Sequence, residues 1–207
     1  NLSGSISNYS DAKAGTSFSV DLGLYYNKEI NISGRTSELS FGSHISNIGG
    51  KITYGSSKNL DFIPTNIRFG SSLKTFIDQF NSITLAVDFN KLMVPSPPVY
   101  ELDDNGNFIV DPITNQPKIL KGKDPNRSVL SGIFSSFSDA PDGFSEELKE
   151  ITISSGVEYW YRDVFALRGG YFFENIDKGG RKFLTLGAGL KYNNCLLYTS
   201  PSPRDTA

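Results

Sequence analysis

The chain has one cysteine, one histidine and one methionine among 207 residues. The cysteine, Cys195, falls in the string Cys195-Leu196-Leu197-Tyr198-Thr199-Ser200-Pro201-Ser202-Pro203-Arg204-Asp205, which reads as a translated sequencing adapter. Residues 195–207 are therefore set aside as a non-native tail. Residues 1–194 then hold no thiol, which removes disulfide frameworks, thiolate nucleophiles and cysteine metal sites. Excess positive charge is also missing: 20 Lys and Arg against 22 Asp and Glu leave a formal net charge of -2. A nucleic-acid partner would need clustered Lys and Arg to release counterions, so none is expected. No stretch approaches the roughly 18–20 consecutive apolar residues of a membrane-spanning helix. The chain opens at Asn1-Leu2-Ser3-Gly4 with no charged-then-apolar leader, and the N-terminal part of an exported protein is expected to precede it.

What is present is an unusual balance. Hydrophobic residues make up 38%, yet aromatics reach 13% and there are 20 glycines. A barrel whose apolar positions come every second residue fits this better than a soluble core, which would bring more aliphatic side chains. The alternation is explicit. Phe18, Val20, Leu22, Leu24 and Tyr26 interleave with Ser17, Ser19, Asp21, Gly23 and Tyr25. The same rhythm runs through residues 39–45, 67–74, 83–90, 151–161, 165–175 and 182–193, giving seven expected strands. A strand sends successive side chains to opposite faces, so each segment has one apolar and one polar face. Strands of about ten residues suit a tilted bilayer crossing, whereas soluble strands average about 5–6. The intervening links (27–36, 49–64, 77–81, 91–149, 162–164 and 176–181) alternate shorter with longer, as a membrane barrel requires. Tyr25, Tyr26, Phe76, Phe80, Tyr159, Trp160, Tyr161 and Tyr192 are expected to form one interfacial girdle near the short links. The fold class is all-β: a transmembrane antiparallel up-and-down barrel, of which residues 1–194 form a part.

On this phase Asp21, His44, Arg68, Lys74, Asp88, Glu158, Arg168 and Glu174 point into the lumen. Their mixed signs favour an interior polar network over a charged channel lining. No nucleophile elbow or metal-ligand spacing surrounds His44, so no catalytic, metal or cofactor residue is assigned. The external loop 91–149 is too long for a connector. It opens with Val94-Pro95-Ser96-Pro97-Pro98-Val99, where the prolines favour extended backbone. Asp104-Asn105-Gly106 suits a type I′ hairpin turn better than a calcium loop. Asp124-Pro125-Asn126-Arg127 predicts a helix start, followed by Val129, Leu130, Ile133, Phe134 and Phe137 at helical spacing, and residues 139–143 a stop. Pro95, Pro97, Pro98, Tyr100, Phe134, Phe137 and Phe144 are the candidate partner-binding residues of this loop.

Several segments together carry a resemblance to one known family. They are Asp61-Phe62-Ile63-Pro64-Thr65-Asn66, Asp88-Phe89-Asn90-Lys91-Leu92-Met93-Val94-Pro95 and Lys123-Asp124-Pro125-Asn126-Arg127-Ser128-Val129-Leu130-Ser131-Gly132. Gly143-Phe144-Ser145-Glu146-Glu147-Leu148-Lys149-Glu150, Gly156-Val157-Glu158-Tyr159-Trp160-Tyr161 and Gly187-Ala188-Gly189-Leu190-Lys191-Tyr192 extend the resemblance over nearly all of residues 8–193. Together they resemble the PorV (LptO) family of the type IX secretion system, and the resemblance implies a FadL-like barrel of about fourteen strands in the bacterial outer membrane, half of them in this chain. It implies a non-enzymatic shuttle that takes cargo bearing a C-terminal signal domain from the translocon barrel to the cell-surface attachment complex. Outer-membrane lipids and lipopolysaccharide are the expected surroundings. A FadL-like transporter of hydrophobic small molecules and a lipopolysaccharide deacylase using His44 are the alternatives.

Overall fold

A computed structural model describes residues 15–52 and 61–192, and 195–199 by backbone alone. The dominant feature is one antiparallel sheet. Its strands are β1 (Ser19–Ile32), β2 (Arg35–Gly49), β3 (Asn66–Phe76) and β4 (Asn81–Leu92), and then, beyond a long loop, β7 (Thr152–Tyr161), β8 (Phe165–Phe173), β9 (Lys182–Tyr192) and β10 (Cys195–Thr199). Within the long loop lie β5 (Val99–Tyr100), β6 (Ile119–Lys121), α1 (Val129–Ser135) and α2 (Phe144–Lys149). Each large strand pairs with its sequence neighbour, and β4 pairs with β7 across the loop. This is the up-and-down order of a barrel wall. Among the described residues β1 and β10 do not pair with each other, so the sheet is open, as a portion of a barrel is.

All seven expected strands are present. The eighth, β10, arises where the sequence analysis set the chain aside: the backbone of Cys195–Thr199 lies along β9, with Leu197 opposite Leu190. An unpaired strand edge is a template for whichever extended segment follows it, with little regard to its side chains.

The first strands are longer than expected, with 14 residues in β1 and 15 in β2. The link between them is only Ser33–Gly34, at φ 53° and 80°. Positive φ at both central residues is the type I′ geometry that matches strand twist, and Gly34 supplies it without strain. Asn31 Oδ1 accepts the Gly34 amide at 3.0 Å and closes the turn. Arg162 and Asp163 repeat the geometry between β7 and β8, at φ 52° and 53°. Between β3 and β4, Asp78 accepts the amides of Phe80 and Asn81 at 2.8 and 2.9 Å. These three short turns share one end of the sheet, and the long links (50–65, 93–151 and 174–181) share the other.

The shorter first turn corrects the aromatic girdle. Phe76, Phe80, Tyr159, Tyr161 and Tyr192 lie at the short-turn end, but Tyr26 is opposite Phe41, well up the strand. Tyr25 and Tyr26 therefore sit at mid-height. Trp160 belongs to the polar face, where its Nε1 donates to Glu158 Oε1 at 2.5 Å.

Register confirms the two faces. Leu39, Leu73, Leu85, Val157 and Gly169 stand in line on one, and Ser40, Ser72, Ala86, Gly156 and Gly170 on the other. The apolar face is open: Leu22, Leu24, Phe41, Phe69, Leu85, Leu184 and Leu186 are all exposed. On the polar face Glu158 accepts from Arg168 as well as from Trp160, and the Arg168 guanidinium lies 5.7 Å over the Trp160 ring. Asp88 lies across Gly70, where a Cβ would be 2.1 Å from its Oδ1. Asp21 accepts the amide of Asn47 at a register break between Val20 and Leu22. Glu174 departs from the expected lumen position. It lies just beyond β8 in the 174–181 link, where Arg181 binds it at 2.8 and 3.0 Å. The few buried apolar side chains, Met93, Ile133 and Ala140 among them, gather at the base of the long loop.

Candidate interaction loop on the barrel rim

Residues 93–151 divide into a finger and a base. The finger, 99–121, is almost entirely exposed. Val99 pairs with Lys121 and Tyr100 with Ile119, so the finger leaves and rejoins the base at one point. Its hairpin turn falls at the expected Asp104-Asn105-Gly106 but is not type I′. Among those three only Gly106 has positive φ, at 83°, and Asp103 Oδ1 accepts the amides of Asn105 and Asn107 at 2.9 and 2.8 Å. A carboxylate that caps its own turn selects a type I turn closed by a left-handed glycine. These amide bonds hold the Asp103 carboxyl below the ordinary range.

The base forms where segments distant in sequence meet. Met93 donates its amide to Thr65 O at 2.8 Å, and the buried Thr65 hydroxyl donates to Asn47 O at 2.7 Å. Above them α1 presents Gly132 to Phe62 and Pro95. A Cβ there would lie 2.6 Å from Phe62 Cε1 and 3.2 Å from Pro95 Cγ, so only glycine admits both. The predicted helix starts later than expected, at Val129, because Asp124 is spent on a turn: its Oδ1 accepts the Asn126 amide at 2.8 Å.

Beside this apolar contact lies a charged one. Lys91, at the end of β4, binds Glu147 at 2.9 Å and Glu150 at 2.5 Å, with both Lys91 and Glu147 buried. Glu147 Oε1 also accepts the amides of Asp139 and Ala140, at 2.7 and 2.8 Å. Lys178, from the 174–181 link, reaches Glu146 at 2.7 Å and Glu150 at 3.0 Å, and Lys149 binds Asp177 at 2.6 Å. Burial pushes the Glu150 carboxyl up, but hydrogen bonds from Lys91, Lys178 and Ser96 outweigh it and hold it below the ordinary glutamate value. Glu146 is likewise held down, first by Lys178 and then by the Asp142 amide.

The seven residues expected to meet a partner separate accordingly. Phe134 and Phe144 are each 74% exposed, Phe137 is 48% exposed, and Pro97 is exposed. Pro95 and Pro98 face inward instead. Pro95 packs at Gly132, and Pro98 is buried against Gly122, whose Cβ position lies 3.2 Å from Pro98 Cα. Tyr100 is half-buried, with its ring edge-on to Phe108 at 5.5 Å. Sequence reasoning passed over Lys91, Asp139, Glu147 and Lys178. One signal was available: Lys91 continues the apolar phase Ile83, Leu85, Val87, Phe89, where a lysine needs a buried partner or the strand's end.

The segments that converge on the base, Asp61–Asn66 and Asp88–Pro95, lie within a longer stretch similar to a known family. Residues 5–99 match the family model of the type IX secretion system protein PorV. Over these residues the chain is similar to the PorV family. The match spans β1 to β4 and ends where the finger begins. No curated protein matches the chain. Beyond the match, β7, β8 and β9 extend the PorV-like wall with the same alternation, on the far side of the loop.

Proposed function

We propose that this chain is a PorV-family protein that serves the type IX secretion system from the outer membrane, as a non-enzymatic carrier of secreted cargo. In this reading it receives proteins bearing a C-terminal signal domain from the translocon barrel and passes them to the cell-surface attachment complex. The observation that carries the reading is the division of the long loop. A base locked to the sheet rim by buried ion pairs holds out an exposed finger and three exposed phenylalanines. Rigid support lowers the ordering cost of binding, and exposed rings supply apolar anchors. The apolar face, with its polar opposite face, suits residence in lipid beside lipopolysaccharide.

Because Val99 pairs with Lys121, residues 100–120 can be replaced by a short Gly-Ser turn without disturbing the base. Cells carrying this replacement are expected to keep the protein in the outer membrane while cargo co-purification and secretion fall. Unchanged capture and secretion would show that the finger takes no part. The rings are tested separately by Phe134→Ser with Phe144→Ser.

A further inference from the structure

We propose that the loop base, residues 122–151, is a proton-dependent clamp: Asp139 holds a proton while the base is docked on the sheet rim, and its ionisation loosens the docking. Asp139 is 2% exposed, and neither of its carboxylate oxygens has a hydrogen-bond partner. An ionised carboxylate in that position would be desolvated without compensation.

The surrounding charges make the position worse for an anion. From α2 and its end come Glu146, Glu147 and Glu150; from β4 comes Lys91, and from the 174–181 link Lys178. With Asp139 these are four carboxyls against two ammonium groups. Both lysines are already committed to the glutamates. Ser96 faces Asp139 from segment 93–98 with its amide and its hydroxyl, and the hydroxyl donates to Glu150 at 2.9 Å. Burial pushes the Asp139 carboxyl up; the Ser96 amide and hydroxyl, close to it but outside hydrogen-bonding geometry, pull it down by less, and Glu147 and Glu150 add to the rise. A single proton on Asp139 leaves three carboxylates around two lysines and relieves the repulsion. Loss of that proton to water restores it, inside a contact that fastens the loop to β4 and to the 174–181 link together.

The sign follows from linkage. A carboxyl whose docked-state pKa is raised favours docking at low pH, and that contribution is lost as pH rises through the docked-state value. The test is protease cleavage of the protein in native membranes, read as cutting within 122–151 relative to cutting within the exposed finger. The relative rate in the wild type should rise about tenfold from the lower to the upper end of a series between about pH 5 and about pH 9, both above the ordinary carboxyl value. Asp139→Asn, which mimics the protonated acid, should stay at the low rate at both. Equal pH responses in the two proteins would overturn the clamp, and so would an Asp139→Asn base that is open at the lower pH. Should that variant not assemble, infrared spectroscopy of the wild type decides. A protonated-carboxyl stretch that disappears over the same pH span is expected, and its absence at the lower pH would overturn the proposal.

Discussion

Lys91 occupies an apolar-phase position at the end of β4, yet its ammonium is buried between Glu147 and Glu150. Removing one partner of a buried pair leaves the other uncompensated, at a cost of about 3–5 kcal/mol. Lys91→Met is therefore expected to undock the loop base, read as faster proteolysis within 122–151, with the strands unchanged by circular dichroism. Gly132 tests the apolar half of the same contact. In Gly132→Ala the new methyl would enter Phe62, 2.6 Å away, so the ring must turn aside or α1 must lift. An overpacking cost of about 1–3 kcal/mol is expected, measured as a lowered midpoint for loss of protease protection. If Gly132→Ala matches the wild type, the Phe62 ring yields freely and the close approach is not needed.

Among the elements, the strands were legible in the sequence and the loop base was not, for a physical reason. Alternation is written within each strand, so local reading found the strands and the 77–81 and 162–164 turns, but it spread the first turn over 27–36 where only Ser33–Gly34 are needed. Lys91 and Glu147 are 56 residues apart, and nothing near either one announces the other. The prolines misled for the same reason: Pro95, half-buried, and Pro98, buried, pack against distant glycines, Gly132 and Gly122, whose role shows only in three dimensions. Docking of α2 should also respond to acid. Glu146 and Glu150 lie below the ordinary glutamate value of 4.5 when docked. Carboxyls with depressed pKa values contribute stability above the undocked value and lose it as pH falls through the docked one. Protection of 144–150 is thus expected to decline below about pH 4.5. Glu146→Gln with Glu150→Gln should remove most of that acid response, since both titrating partners of Lys178 are gone.

For the whole molecule, the decisive property is that the strands bury so little against one another's faces. A soluble sheet with Leu22, Leu24, Phe41, Phe69, Leu85, Leu184 and Leu186 open on one side would need a second layer, and the described residues place none there. Lipid is a sufficient covering for such a face, and the in-line polar row from Ser40 to Gly170 then meets water or whatever the barrel encloses. The two sides of β4 distinguish these environments within one strand. Leu85 projects from the apolar face near mid-strand, and Thr84 next to it projects from the polar face beside Lys74 and Glu158. In a bilayer an arginine at Leu85 costs about 2–4 kcal/mol near the midplane, whereas the lumen side tolerates charge. Leu85→Arg is expected to reduce the folded, heat-modifiable form in membranes, and Thr84→Arg, offered the Glu158 carboxylate, to leave it nearly unchanged. Equal tolerance of the two substitutions would mean that the apolar face meets protein or water instead of lipid, and the membrane placement of this wall would fall with it.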